Sequence, residues 1–242
     1  MSRTALVTGG SRGMGAAIAL RLAQEGADVA ITYVRGEEAA QEVVRKIEAT
    51  GQRGIALRAD AADADAPGRA VALAAERLGQ LDVLVNNAGV GVLGPIESLS
   101  VGDVDQVISV NVRAVFLASQ AAAARMERGG RIISVGSCMA QHVPGPGGTL
   151  YAMSKSALTG LTKALARELG ARGITANLVH PGPIDTDMNP ADGPYAEPQK
   201  AGTALGRFGR PEEVASLIAY LTSDEAAYVT GAELSVDGGH AA

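Results

Sequence analysis

Thr4-Ala5-Leu6-Val7-Thr8-Gly9-Gly10-Ser11-Arg12-Gly13-Met14-Gly15 is the stretch on which the fold turns. A short apolar run ends in glycines spaced T-G-x-x-x-G-x-G, at Gly9, Gly13 and Gly15, and a helical pattern with Ile18, Leu20, Leu22 and Ala23 follows to Gly26. Strand, glycine turn, helix is the layout of a dinucleotide-binding turn. Glycines let the backbone approach a pyrophosphate, which rests on the unpaired N–H groups of the helix start. The spacing is not G-x-G-x-x-G, and an ordinary glycine-rich turn is the competing reading.

Downstream, the same alternation repeats. Val29–Thr32 reads as a second strand, 37–50 as a helix with a Val43, Val44, Ile47 stripe, Gly54–Asp60 as a third strand, 67–78 as an Ala-rich helix, and Leu81–Val85 as a fourth strand. Ser100-x-x-Asp103 has the form of a capping box and opens a long helix that contains Asn111. Arg131–Val135, Ile174–Val179 and Ala232–Val236 read as further strands, and the helix of 150–170 lies between the first two. Strands alternating with helices imply parallel βαβ units. The expectation is one α/β domain over 1–242: a doubly wound, Rossmann-type parallel sheet of about seven strands with helices on both faces. Segment 183–209, with Pro183, Pro190, Pro194 and Pro198, shows no period and is expected to be an irregular functional lid. Pro211-Glu212-Glu213 suits a first helical turn.

The bulk numbers narrow the function classes. At 242 residues and 47% hydrophobic, a full core is within reach; with 3% aromatics and no Trp, that core has to be aliphatic. A net charge of −5 argues against nucleic acid or an anionic membrane as partner. No apolar run nears the ~20 residues needed to span a bilayer, and no signal sequence is read at the N-terminus, so a cytoplasmic location is expected. Cys138 is the single cysteine, so neither a disulfide nor a cysteine-based metal cage is expected.

Tyr151-Ala152-Met153-Ser154-Lys155 carries the chemistry. Four residues apart on a helix, Tyr151 and Lys155 share a face. A free phenol titrates near pH ~10; a nearby ammonium favours the phenolate, so this pair is expected to lower the phenol and let it trade protons with a carbonyl or alcohol oxygen. The second strand ends at Tyr33-Val34-Arg35 without the acid that would take two ribose hydroxyls, and Arg12 sits in the glycine turn. Both arginines suit a 2′-phosphate instead; solvated surface charges are the plainer reading.

Taken in order, Thr8-Gly9-x-x-x-Gly13-x-Gly15, Asn86-Asn87-Ala88-Gly89, Asn111, Ser137, Tyr151-x-x-x-Lys155 and Pro181-Gly182 resemble the short-chain dehydrogenases/reductases over nearly the whole chain, and most of all the branch with the bacterial 3-oxoacyl-[acyl carrier protein] reductases. Ser137 lies 14 residues before Tyr151, one more than in many members, which leaves the shape of loop 138–150 open. The resemblance implies NADP(H) as cofactor, Tyr151 as proton donor, Ser137 holding the substrate oxygen, Lys155 lowering the tyrosine and binding the nicotinamide ribose, and Asn111 continuing a proton path. It implies cofactor contacts from Gly9, Ser11, Arg12, Gly13, Met14, Gly15, Arg35, Asp60, Asn87, Ala88 and Gly89, with Pro181, Gly182, Ile184 and Thr186 closing over the nicotinamide. It also implies a homotetramer built on the helices near 100–127 and 150–170.

The plainer roles stay beside these. Asn111 could be a helix-interior amide bonded to backbone, Asp60 a turn cap, and Ser134 a rival serine inside its strand. Cys138 is read as packing. His142, His180 and His240 lack metal-ligand spacing, and Asp185 with Asp187 is read as loop capping, so no metal is expected. Arg125, Arg128, Arg131 and Arg172 could meet an acidic carrier protein or form a solvated rim. The expected reaction is hydride transfer to a 3-oxoacyl-type ketone. The alternatives are small ketones, aldehydes or a secondary-metabolite intermediate, and a cofactor-sensing protein without turnover.

Overall fold

Seven parallel strands form one sheet in the order β3-β2-β1-β4-β5-β6-β7: β1 (Thr4–Val7), β2 (Asp28–Tyr33), β3 (Gly54–Arg58), β4 (Val83–Asn86), β5 (Arg131–Val135), β6 (Thr175–Pro181) and β7 (Glu233–Val236). This is a computed structural model, and it describes residues 3–242. The helices are α1 (Gly13–Gln24), α2 (Glu37–Glu48), α3 (Ala66–Leu78), α4 (Val101–Ile108), α5 (Ala114–Ala123), α6 (Thr149–Leu169), α7 (Ala196–Ala201) and α8 (Pro211–Thr222). The doubly wound reading holds.

Side chains along a strand alternate between faces, and here both faces are dry. Ala5, Val7, Val83, Val85 and Ile133 join a core with Ile18 and Leu22 of α1, Val43, Val44 and Ile47 of α2, and Val214 and Ile218 of α8. Leu6, Leu84 and Ile132, one residue out of phase, join Val71, Ala74 and Leu78 of α3, Ala118 and Ala122 of α5, and Leu169 of α6. That two-sided burial is why the strands read as continuous apolar runs. The chain order reverses between β1 and β4, which opens a crevice past the carboxyl ends of these strands, where ligands of such sheets bind.

Several boundaries differ from the sequence reading. β4 starts at Val83, because the Asp82 carboxylate accepts the Thr4 N–H (2.7 Å) and hydroxyl (3.2 Å) and so caps the start of β1. β3 stops at Arg58, short of Asp60. β6 runs on through His180 and Pro181, because Leu178–Pro181 pair with Glu233–Val236. The long helix after Ser100 has its capping box, but it is interrupted: Ser109–Arg113 is a π-turn between α4 and α5. Segment 183–209 is not wholly irregular, since it contains α7.

Candidate active site

The glycine turn is clamped from across the crevice. Asn87 Nδ2 donates to the carbonyls of Thr8 (2.9 Å) and Gly9 (3.2 Å), and the Thr8 hydroxyl accepts the N–H groups of Asn87 and Ala88, each at 3.0 Å. Gly9 and Gly13 have φ of +65° and +52°, which disfavours any residue with a Cβ. A Cβ on Gly15 would lie 2.3 Å from the Gly9 carbonyl oxygen. α1 begins here with Arg12 in an extended conformation and no side-chain cap, so the first N–H groups of the helix face the crevice without a side-chain acceptor. Ser11 and Met14 are half-buried, Met14 against the core. These features fit a pyrophosphate cradle.

At the end of β2, Tyr33 is buried, and Arg35 is exposed just past the strand tip. Arg12 is also exposed and lies 4.0 Å from Asp187 of the lid. Asp60 accepts the Ala62 N–H (2.9 Å), so its side chain caps a turn. Segment 183–209 lies against the turn: Thr186 Cγ2 is 3.5 Å from where a Cβ on Gly13 would stand. Ile184 is buried and bridges to Gly209, and the backbone of Gly182, after Pro181, is pressed against Asp237. A cleft of about 450 Å³ lies between the lid and the end of β7, lined by Ile184, Leu205, Arg207 and Asp237; Tyr151 does not line it.

The catalytic candidates converge at the ends of β4, β5 and α6. Ser137 follows β5 and caps the 3₁₀ turn Cys138–Ala140, its hydroxyl accepting the Met139 N–H at 3.2 Å. This turn, with the bond from Gly94 N–H to the Gly147 carbonyl (2.9 Å), shapes the loop of 138–150. Lys155 is buried, donates to the Val135 carbonyl at 2.9 Å, and sits 5.9 Å from the centre of the Tyr151 ring. A Cβ on Gly89 would lie 3.3 Å from Lys155 Nζ and 3.4 Å from Asn111 Oδ1, so these three meet. Asn111, in the π-turn, accepts the Val90 N–H (2.9 Å) and donates to the Val90 carbonyl (2.9 Å) and Ser154 Oγ (3.0 Å). Its side chain therefore holds segment 89–90 against α6, which is the plainer of its two expected roles.

The electrostatics correct the expectation for Tyr151. Burial pushes its phenol up, and a hydrogen bond with Ser137 only partly offsets this. Lys155 is itself pushed down to about 8 by burial. At this distance the ammonium does not outweigh the loss of water, so the phenol stays protonated at neutral pH. Cys138 is buried and pushed up to about 11, chiefly by that burial, which makes it a packing residue and no nucleophile.

The remaining candidates take structural roles. Ser134 is buried in β5 near Asn86. Asp185 accepts the Ala191 N–H (2.9 Å), a loop cap. His142 and His240 meet edge-on, 6.0 Å between ring centres. Among the described residues no group of three or more His, Cys, Asp or Glu side chains could hold a metal ion, and no helix is long and apolar enough to cross a membrane. Of the arginines expected to meet a carrier or form a solvated rim, Arg131 alone is buried, and Arg125, Arg128 and Arg172 are exposed. Arg131 is buried and bonds the carbonyls of Gly129, Gly130 and Ser223, Arg172 bonds those of Ala123 and Met126, and Arg125 bonds that of Ala121. Arg131 also opens β5, whereas Ser137 follows its far end. Sequence reasoning missed the π-turn, for which no residue signalled, and the burial of His180 between Ser137 and Glu233, at which the Gly136-Ser137 pair hinted.

Known proteins resemble this chain over nearly its whole length. The family model described as enoyl-(acyl carrier protein) reductase matches residues 9–241. The cyclic-di-GMP-binding biofilm dispersal mediator protein of Escherichia coli is 44% identical over 98% of this chain and 96% of its own. A 3-oxoacyl-[acyl-carrier-protein] reductase of Staphylococcus aureus is 41% identical over 99% and 98%. The crystal structure of a short chain dehydrogenase from Burkholderia cenocepacia in complex with NADP superposes with a TM-score of 0.98 at 54% identity, covering 99% of this chain and 98% of that one. The chain belongs to the short-chain dehydrogenase/reductase family of oxidoreductases.

Proposed function

We propose that this chain is an NADP(H)-dependent carbonyl reductase that converts a ketone of 3-oxoacyl type to a secondary alcohol. The observation that carries the reading is geometric: Tyr151 stands one helical turn from Lys155, whose ammonium is 5.9 Å from the phenol ring centre and bonded to the Val135 carbonyl, two residues before Ser137. A protonated phenol suits carbonyl reduction, in which an oxygen gains charge and needs a proton. NADPH, when bound, supplies the hydride. Gly9, Ser11, Gly13, Met14 and Gly15, with the start of α1, receive the pyrophosphate, Asn87, Ala88 and Gly89 wall the crevice, and Lys155 is within reach of a ribose. Pro181, Gly182, Ile184 and Thr186 exclude water over the reacting atoms. Ser137 and Tyr151 orient the substrate oxygen, and Tyr151 gives it the proton. Arg12 and Arg35 take the 2′-phosphate, and the NADP complex of the Burkholderia relative supports that cofactor.

Carrier protein as the substrate's vehicle is supported by the Staphylococcus relative's name and by the description of the matching family model. The second reading is reduction of small free ketones or aldehydes by the same residues, favoured by Arg131 and Arg172, which direct hydrogen bonds to backbone carbonyls of their own chain. The Escherichia relative is named for binding a cyclic dinucleotide; here Tyr151 and Lys155 are both in place, which supports turnover over ligand sensing. The test is loss of NADPH absorbance with a panel of free ketones, aldehydes and a 3-oxoacyl thioester on acyl carrier protein. Turnover is expected with at least one of them, and no turnover with any overturns the proposal.

A further inference from the structure

His180 was read as a structural histidine, yet its surroundings are unusual. It is fully buried (0% exposed) in β6, beside the end of β5. Its Nδ1 edge is bracketed by both backbone polar groups of Ser137: the N–H at 3.2 Å and the carbonyl oxygen at 2.9 Å. Its Nε2 lies 3.2 Å from Glu233 Oε2 at the start of β7. Glu233 is fixed in turn from α6, where the Thr159 hydroxyl donates to it at 2.7 Å and Lys163 pairs with it at 2.9 Å. Burial pushes the Glu233 carboxyl up, but hydrogen bonds from Lys163, Thr159 and His180 more than offset this and hold it at about 2. Three strands and a helix thus converge on one imidazole.

Room for the ring is made on purpose by position 136. A Cβ on Gly136 would lie 2.6 Å from His180 Nδ1 and 2.9 Å from its Cε1, so any side chain there would drive the ring away from Ser137. Besides His180, Ser137 is held on its C-terminal side by the 3₁₀ turn, where its carbonyl accepts the Ala140 N–H at 2.9 Å, while its N–H has only the imidazole as a partner among the described residues. Its backbone is extended (φ −166°, ψ 148°), and its hydroxyl accepts from Met139. The hydroxyl must be aimed at Tyr151 and at the substrate oxygen together. Misplacement by a fraction of an ångström lowers the rate without touching any reacting group.

We propose that His180, anchored by Glu233, is a positioning residue for Ser137: it fixes the backbone from which the Ser137 hydroxyl meets the Tyr151 phenol and the substrate carbonyl. This rests on the role of Ser137 given above. Asparagine at 180 keeps a polar atom near the place of Nδ1 but cannot reach Glu233, whereas leucine keeps bulk and loses both contacts.

The experiment uses the full chain with NADPH and the best carbonyl substrate of the panel, and compares H180L, H180N, S137A and the double variant S137A/H180L. H180L is expected to lose about tenfold or more in kcat, with its dissociation constant for NADPH within twofold of wild type, and H180N to recover most of the loss. Because His180 acts through Ser137, S137A/H180L should be no slower than S137A, the non-additivity expected of residues acting as one unit. Losses that multiply in the double variant, or an H180L enzyme within twofold of wild-type kcat, overturn the proposal. If H180L fails to fold, H180N carries the same test through the double variant S137A/H180N, where any further loss beyond S137A overturns it. Hydrogen exchange at the Ser137 amide reads the contact without turnover: faster by tenfold or more in H180L, with H180N near wild type, supports it, and unchanged exchange in H180L or exchange as fast in H180N as in H180L overturns it. An absence of turnover by the wild type would strike the reductase reading instead, and leave the exchange result to decide this one.

Discussion

Lys155 directs its ammonium at the carbonyl of Val135, 2.9 Å away, while the centre of the Tyr151 ring stands 5.9 Å off. The pair is therefore not a simple ion-paired phenolate. Burial holds Lys155 at about 8, below the ordinary 10.5, so the folded state binds fewer protons than the unfolded chain between these values. The cost of the buried charge is fully present below about 8 and is relieved as pH rises toward 10.5. It amounts to about 3 kcal/mol at neutral pH, and losing the bond to Val135 returns about 1–2 of that. Lys155→Met is expected to be inactive yet more stable at pH 7 by about 1–2 kcal/mol, the gain shrinking at high pH. Urea unfolding at pH 7 and pH 10 checks this; a variant less stable than wild type at pH 7 contradicts it.

Tyr151 is the proton donor in the proposed reaction. Tyr151→Phe keeps the ring's packing and removes the acid, so kcat should fall by about 10²–10⁴-fold, the usual range for general acid catalysis, with NADPH binding intact. A variant that keeps a tenth of the wild-type rate would rule the assignment out.

Cofactor preference should follow the exposed arginines. A hydrogen bond to a charged group contributes roughly 1.5–3 kcal/mol, about ten- to a hundredfold in affinity, and water and salt trim this at open positions such as Arg35 and Arg12. Arg35→Ala should raise the KM for NADPH by about tenfold and leave that for NADH nearly unchanged. Equal use of both cofactors by the wild type would show that neither arginine reads the phosphate.

Assembly is expected through α4, α5 and α6. Val101, Val104, Phe116 and Met153 are exposed on these helices, Phe116 at 50%, an apolar set of the kind that pairs with a second copy. Light scattering at micromolar concentration should give a tetramer, and Phe116→Asp should shift the mass downward. A monomeric wild type would refute the interface.

The fold was legible because the sheet is buried on both faces, so each strand announced itself as an apolar run between glycine turns. Arg131–Val135 has the boundaries read from the sequence. The misses have local causes. Asp82 looks like strand and is a cap, and the π-turn at Asn111 obeys a hydrogen-bond register that side-chain pattern does not encode. Among the site candidates, Tyr151, Lys155 and Asn111 stand in motifs, but the direction in which the phenol is pushed could not be read there, because burial in the folded chain causes it. The role of Arg131 and Arg172 was equally out of reach: an arginine that ties helix-end carbonyls has the same sequence as one that waits for a partner.

The clamp of Asn87 on Thr8 and Gly9 also bears on how the chain acquires its site as it is made. The glycine turn leaves the ribosome well before the side chain that shapes it, which comes almost eighty residues later, after β2, β3 and their helices have been synthesised. A nascent chain ending before Asn87 carries every glycine of the turn and lacks the amide that sets its curvature. Cofactor affinity should then emerge abruptly with chain length, as a late product of sheet closure and not a property of the glycine turn by itself.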